Sequence, residues 1–310
     1  MNTGVYFSFL LCLVVSCKAS QSTPDQANSE QQAVSEDSFS TSSKKTIFSD
    51  KFDQGCWNAT TVRGSRTGSC ENPVNKPLWL GSQMQTNAAG RVVNFTGSKA
   101  MRFIWDKNYY KPLVGNTTAL ENNTSKKAHL WTEFESGRNK TRSYYFSIYA
   151  PKDNFSSDEG DEGFLAEIVS QWKGYPNRSK NEPYNLPVLA LKAYRGKWVL
   201  EGFYDEKEVT PLGGLKASFP RKYLDNIAKD KWTDFHVRVK WSCCSDEGYV
   251  LVQSRVRGKT AWETKFKSTD IKIGQNDVLD PNWGIGIYKY NGNSNFRKRI
   301  VYFDDILVTN

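Results

Sequence analysis

From Thr46 to the C-terminus the chain keeps returning to one pattern. Short runs alternate apolar and polar side chains, turn residues break them up, and helical periodicity is nearly absent. Alternate side chains of a strand point to opposite faces, so each run predicts a strand with one buried and one wet face. About eleven such runs are legible. They are Ser98–Trp105, His129–Phe134, Ser143–Ala150, Phe164–Lys173, Val188–Tyr194, Lys197–Phe203, Thr233–Trp241, Tyr249–Val256, Thr260–Phe266, Trp283–Tyr290 and Ile300–Val308. Gly196, Pro211-Leu212-Gly213-Gly214 and Asn291-Gly292-Asn293 supply turns between them. Only Arg221–Ala228 is predicted as a short helix. Strands without crossover helices exclude a parallel α/β sheet and predict an all-β fold, a two-sheet antiparallel jelly-roll sandwich. In Phe235–Trp241 the alternation is clean: Phe235, Val237, Val239 and Trp241 face the core, and His236, Arg238 and Lys240 face out.

The region before these strands has a different character. Residues 5–15 are apolar but too short to span a bilayer. They are predicted to be the core of a secretory signal, residues 1–17, whose Val14-Val15-Ser16-Cys17 end has the form of a bacterial lipobox. A plain cleavage site near Ser20 is the alternative. Residues 18–45 are rich in Ser, Gln, Asp, Glu and Thr and lack the apolar content to pack, so they form a flexible polar tether. Residues 46–310 carry no linker or charge block and are expected to form one domain. The expected location is outside a bacterial cell, secreted or held at the outer surface through a lipid on Cys17. Cys56 and Cys70 bracket a polar loop that a disulfide would close, with a gain on the order of 3 kcal/mol. The adjacent Cys243 and Cys244 are expected to be two free thiols, with a strained vicinal disulfide as the alternative. Eight Asn-x-Ser/Thr sequons occur, but the lipobox points to a bacterial source without glycans. The absence of any CxxC pair and the presence of only two histidines exclude an ordinary zinc site.

Two strands carry unusual chemistry on one face. In Glu167–Lys173, alternation sets Gln171 beside Lys173; in Gly284–Tyr290, it sets Gly284, Gly286, Tyr288 and Tyr290 together. Two glycines beside a phenol leave a bare backbone groove. An amide, an ammonium and a phenol facing it suit a polyanionic chain. Two ordinary strands with a wet outer face are the plainer alternative. The net charge of +9 fits an acidic polymer, and nothing in the chain points to nucleic acid.

A set of blocks in fixed order then carries a resemblance: Gly55-Cys56-Trp57, Ala100-Met101-Arg102-Phe103, Tyr145–Pro151, Gln171-Trp172-Lys173-Gly174, Trp232–Val237, Gly286-Ile287-Tyr288 and Tyr302–Ile306. Together they resemble the jelly-roll polysaccharide lyases, concanavalin A-like sandwiches that include heparin lyase I, glucuronan lyase and one class of ulvan lyase. The resemblance implies a cleft on a concave sheet and β-elimination at a uronic acid. By position it implies Tyr288 as the proton donor to the leaving oxygen and as a candidate base as well, Gln171 as a partner of the uronate carboxylate, and Arg102 as a ligand for carboxylate or sulfate. Lys289 and Tyr290, next to Tyr288, are further substrate-binding candidates. Heparin lyase I has a histidine where this chain has Lys173, and a lysine where it has Gly284. Lys173 with Tyr288 is similar to the ulvan lyases, in which the lysine is the base.

The expected substrate is therefore ulvan, a sulfated rhamnose–uronate polymer of green algae. Heparin, heparan sulfate or glucuronan is the alternative, and a non-catalytic carbohydrate-binding sandwich the rival. Lys173 serves either as the base, with Arg102 or desolvation lowering its pKa, or as a charge that neutralises the carboxylate. His129 is a second candidate base, with an exposed strand histidine as the plain reading. A glycoside hydrolase needs two opposed carboxylates, and Glu133 and Glu167 have no partner legible in the sequence. No cofactor is expected for catalysis. Asp50, Asp53, Asp304 and Asp305, near the chain ends, could supply oxygens to a structural calcium ion, with plain strand-end turn residues as the equal alternative. The protein is expected to be a monomer.

Overall fold

The computed structural model describes residues 45–52, 63–64, 79–86, 89–110, 126–135, 139–153, 167–276, 279–289 and 297–310. All lie within the compact unit 43–310. The signal, the tether, the Cys56–Cys70 pair, Asp53 and Tyr290 fall outside the described residues.

Sixteen strands run through the described residues: β1 (Thr46–Asp50), β2 (Arg63–Gly64), β3 (Trp79–Met84), β4 (Gly90–Phe95), β5 (Ser98–Asp106), β6 (Lys127–Glu135), β7 (Thr141–Tyr149), β8 (Glu167–Tyr175), β9 (Leu189–Tyr194), β10 (Lys197–Tyr204), β11 (Lys216–Asn226), β12 (Trp232–Lys240), β13 (Gly248–Val256), β14 (Glu263–Ile271), β15 (Leu279–Tyr288) and β16 (Lys298–Thr309). The helical elements described are two 3₁₀ turns, Lys107–Tyr109 and Arg178–Lys180. The first sheet has the order β14-β13-β12-β7-β16-β5-β4, with β1 added on β16; the second is β11-β10-β9-β8-β15-β6-β3-β2. Every named strand pairing is antiparallel, as the sequence pattern required.

The core lies between the two sheets. Phe103, Tyr144, Phe146, Phe235, Val237 and Phe303 of the first sheet meet Leu130, Trp172, Leu191, Trp198, Trp283 and Ile285 of the second. Trp172 and Trp283 stack with centroids 6.1 Å apart, and Tyr144 packs against both. Fully buried aromatics of this size are the main apolar contribution to the fold. Because Trp172 and Trp283 point inward, their neighbours Gln171, Lys173 and Gly284 face outward from the second sheet.

Two expectations are corrected. Arg221–Ala228 is not a helix: most of it belongs to β11, an edge strand of the second sheet. Edge strands are wet on most sides and lose the apolar alternation that marks inner strands. Cys243 and Cys244 are not two free thiols but are joined as a vicinal disulfide.

Candidate active site

Three adjacent strands, β8, β15 and β6, build the site on the outer face of the second sheet. Gly284 of β15 lies opposite Gln171 of β8 and Trp131 of β6, and Gly286 lies opposite His129. Tyr288 lies opposite Lys127 on one side and Ile168 on the other. The expected pair Gln171 and Tyr288 thus occurs on neighbouring strands, with Lys173 one step beyond Gln171.

Irregularities in the ladder set the exact placement. Between Asn282 and Gly284 the register of β15 slips, and the Thr132 hydroxyl bonds both the N–H and the C=O of Trp283, each at 3.1 Å. A second slip between Ile168 and Ser170 turns Glu167 to the interior while Gln171 stays outside. Gly284 leaves the room that the His129 and Trp131 rings occupy: a Cβ there would collide with both. Gly286 has φ +134°, and a Cβ would strike the Ala128 carbonyl. The bare backbone inferred from the sequence is therefore filled by side chains of β6.

His129 is wholly buried and tilts against Trp131 with centroids 4.8 Å apart. Its Nε2 faces the Gln171 amide nitrogen at 3.4 Å. An amide N–H can only donate, so this contact makes Nε2 the acceptor. Burial first, and then the Lys127 charge, pushes the imidazole well below its ordinary pKa. His129 is thus neutral and enclosed, not an exposed strand histidine. Gln171 is 1% exposed.

Lys173 is half-buried, and its Nζ lies 5.2 Å from the centre of the Tyr184 ring. Desolvation lowers its pKa to about 8. A tenth or so of the amine is then neutral one unit below that value, against a negligible fraction for a free lysine. Lys127 was missed in the sequence. Its Nζ lies 4.7 Å from the centre of the Tyr288 ring, and it is 5% exposed. Burial, followed by the charges of Lys173 and Lys126, pushes its amine well below the ordinary lysine value. The signal was available: Lys127 is two residues before His129 and must share its face.

The remaining candidates lie elsewhere. Arg102 is on β5 of the other sheet, opposite Tyr302 and Arg91, so it is not the cation beside Lys173. Lys289 follows Tyr288 and therefore faces the opposite side. It is wholly buried, 3.4 Å from Glu167, whose Oε1 also meets Arg299 Nε at 2.6 Å. It is an interior ion-pair residue and not a substrate ligand on the outer face. Asp50 caps the Phe52 N–H at 2.7 Å, Asp304 accepts the Asp305 N–H at 2.8 Å, and Asp305 pairs with Arg257 at 2.6 Å. Among the described residues no group of three acidic, histidine or cysteine side chains is arranged to hold a metal.

The family model "Polysaccharide lyase" matches residues 58–307. No curated protein sequence matches the chain. Among solved structures, the chain is similar to endo-β-1,4-glucuronan lyase of the fungus Trichoderma reesei, at 12% identity and a TM-score of 0.55, covering 74% of this chain and 90% of that one. It also matches the PL-14 alginate lyase of Aplysia kurodai, at 10% identity and a TM-score of 0.46, covering 72% and 87%. A family 7 alginate lyase, A1-II′, matches at 13% identity and a TM-score of 0.43, covering 72% and 83%. The ordered blocks, the two-sheet sandwich and a family match over most of its length agree: this chain belongs to the polysaccharide lyase family.

Proposed function

We propose that the protein cleaves a uronate-containing polysaccharide by β-elimination, and that its substrate is ulvan. The observation that carries this is the gathering of Lys173, Gln171, Lys127 and Tyr288 on one outer face, with the Lys173 amine brought to about 8 by burial. The C5 proton of a uronate is weakly acidic, and its removal builds negative charge on the carboxylate. Donors and cations that meet this charge as it develops lower the barrier. In the proposed reaction the neutral Lys173 amine takes the C5 proton. The electron pair of that C–H bond becomes the C4–C5 double bond, and the C4–O bond breaks. Tyr288 gives its phenolic proton to the leaving oxygen. Proton return from the Lys173 ammonium to the phenolate restores both groups.

Gln171 has a second amide hydrogen besides the one directed at His129, and it is the donor proposed for the carboxylate. His129 is enclosed and neutral, so its proposed role is to hold that amide rather than to act as the base. Secretion, or a lipid anchor at Cys17, would place the enzyme where such polymers occur. The test is a panel of ulvan, heparin, heparan sulfate, alginate and glucuronan, followed by the ultraviolet absorbance of unsaturated uronate. Absorbance growing on ulvan supports the proposal. Growth only on another polymer moves the substrate, and saturated products alone refute elimination.

A further inference from the structure

The geometry points to a second, distal binding site on the same outer face, at Tyr223, Tyr194, Arg195, Lys197 and Arg221, which takes an anionic sugar several units from the bond that breaks. It rests on the proposed reaction and extends it. The residue register links the two places directly. Tyr288 of β15 is opposite Ile168 of β8, Ile168 is opposite Lys192 of β9, Lys192 is opposite Val199 of β10, and Val199 is opposite Tyr223 of β11. One row thus crosses five strands from one phenol to another, about 19 Å at the usual strand spacing. Ile168, Lys192 and Val199 between the two phenols are buried, so the row measures their separation and is not itself the surface a polysaccharide touches. A chain that long spans both places over the side chains that cover the row.

The far end of the row is built like a receptor for a charged sugar. Tyr223 is 54% exposed on the edge strand, and its ring lies 6.4 Å from that of Tyr194. Three cations gather on these rings. The Arg195 and Arg221 guanidiniums lie 5.3 and 5.5 Å from the Tyr194 centroid, and Lys197 Nζ lies 6.0 Å from that of Tyr223. An exposed phenol offers a flat face to a sugar ring, and a guanidinium binds a carboxylate or a sulfate ester in the same bidentate way. One carboxylate, Glu201, stands among them. It is already engaged by Lys192 and, at 2.6 Å, by Arg221 Nε. The cations therefore outnumber it.

Arg195 adds an independent observation. It sits at φ +48° and is followed by Gly196 at φ +71°, making the tight turn between β9 and β10. Such a first position normally takes Asn, Asp or Gly, because a larger side chain is strained there. An arginine in it puts a guanidinium over Tyr194 at a conformational cost that a plain turn would avoid.

The test uses the double variant Arg195→Asn, Tyr223→Ala. Asn suits the left-handed turn, Tyr223 is exposed, and neither residue belongs to the reaction site, so circular dichroism and Tm should hold. Kinetics are read on size-graded ulvan oligosaccharides. The expected result is a KM raised about tenfold on long oligosaccharides, with kcat kept and with no change on the shortest ones cleaved. An equal KM for variant and wild type at every length overturns the site. Desulfated oligosaccharides separate the two anions: a lost difference between variant and wild type assigns the site to sulfate, and a kept one to carboxylate. Should no polymer give unsaturated product, the reaction proposed above fails, and retention on immobilised ulvan decides the site alone. Retention lost in the double variant supports it, and equal retention refutes it.

Discussion

At the scale of single residues, Lys173 and Tyr288 are the partly exposed members of the cluster, and their roles separate by substitution. A base with a lowered pKa becomes neutral at lower pH, so activity should rise with pH. If Lys173 is the base, kcat/KM should climb through a limb centred near pH 8. A limb below the ordinary histidine range would instead fit a group like His129, whose imidazole burial and the Lys127 charge push well below its usual value. Lys173→Arg keeps the charge but cannot lose its proton at working pH. The expected outcome is near-complete loss of turnover with the fold intact, and substantial activity would leave Lys173 only a neutralising charge. Tyr288→Phe removes one oxygen and keeps the ring against Lys127. Turnover should fall roughly 100-fold or more if the phenol transfers a proton. Alternation and motif order both mark these two residues in the sequence. Lys127 is missed when the strand is started at His129, two residues late. Lys289 is misplaced when it is grouped with its neighbour Tyr288, because alternation sets it on the opposite face.

At the scale of elements, most inner strands are legible in the sequence, whereas the edge strands β11 and β4 are not. β7, β12 and β13 have neighbours on both sides, and one of their faces is mostly apolar, so their alternation survives in the sequence. β11 and β4 sit at sheet edges, and β11 contains Pro220 and a mainly wet surface, which hides its period. No local pattern could say that Arg102 would fall in the first sheet and Gln171 in the second, since that follows from long-range pairing. The glycines of β15 were noticed for a groove, but their packing role is tighter. Gly284 lies against two rings of β6, so Gly284→Ala must displace His129 or Trp131. Displacing His129 removes the contact that holds Gln171. The expected outcome is at least a 100-fold fall in kcat, read beside a thermal melt that shows the sandwich still folded. Unchanged kinetics would mean that the β6 rings adjust without cost and that the Gln171 contact is dispensable.

At the scale of the whole molecule, the two sheets are joined by more than apolar packing. Glu167 of β8 lies in the interior between Arg299 of β16, in the other sheet, and Lys289, directly after β15. All three side chains are at most 1% exposed. Charges so placed lose their hydration, and their mutual attraction offsets that loss only while the carboxylate is present. The bridge also sits one residue from Tyr288 and from the irregular stretch of β8, so it ties the reaction face to the opposite sheet. In the sequence Glu167 reads only as a hydrolase carboxylate, since nothing local marks the bulge that turns it inward. Glu167→Gln keeps the shape and removes the charge, leaving two buried cations short of their carboxylate. Stability should drop by about 3–5 kcal/mol, read as a lower urea midpoint with an unchanged slope. A midpoint equal to that of the parent protein would mean that other partners of Arg299 and Lys289 carry the balance, and that the link between the sheets is the aromatic core alone.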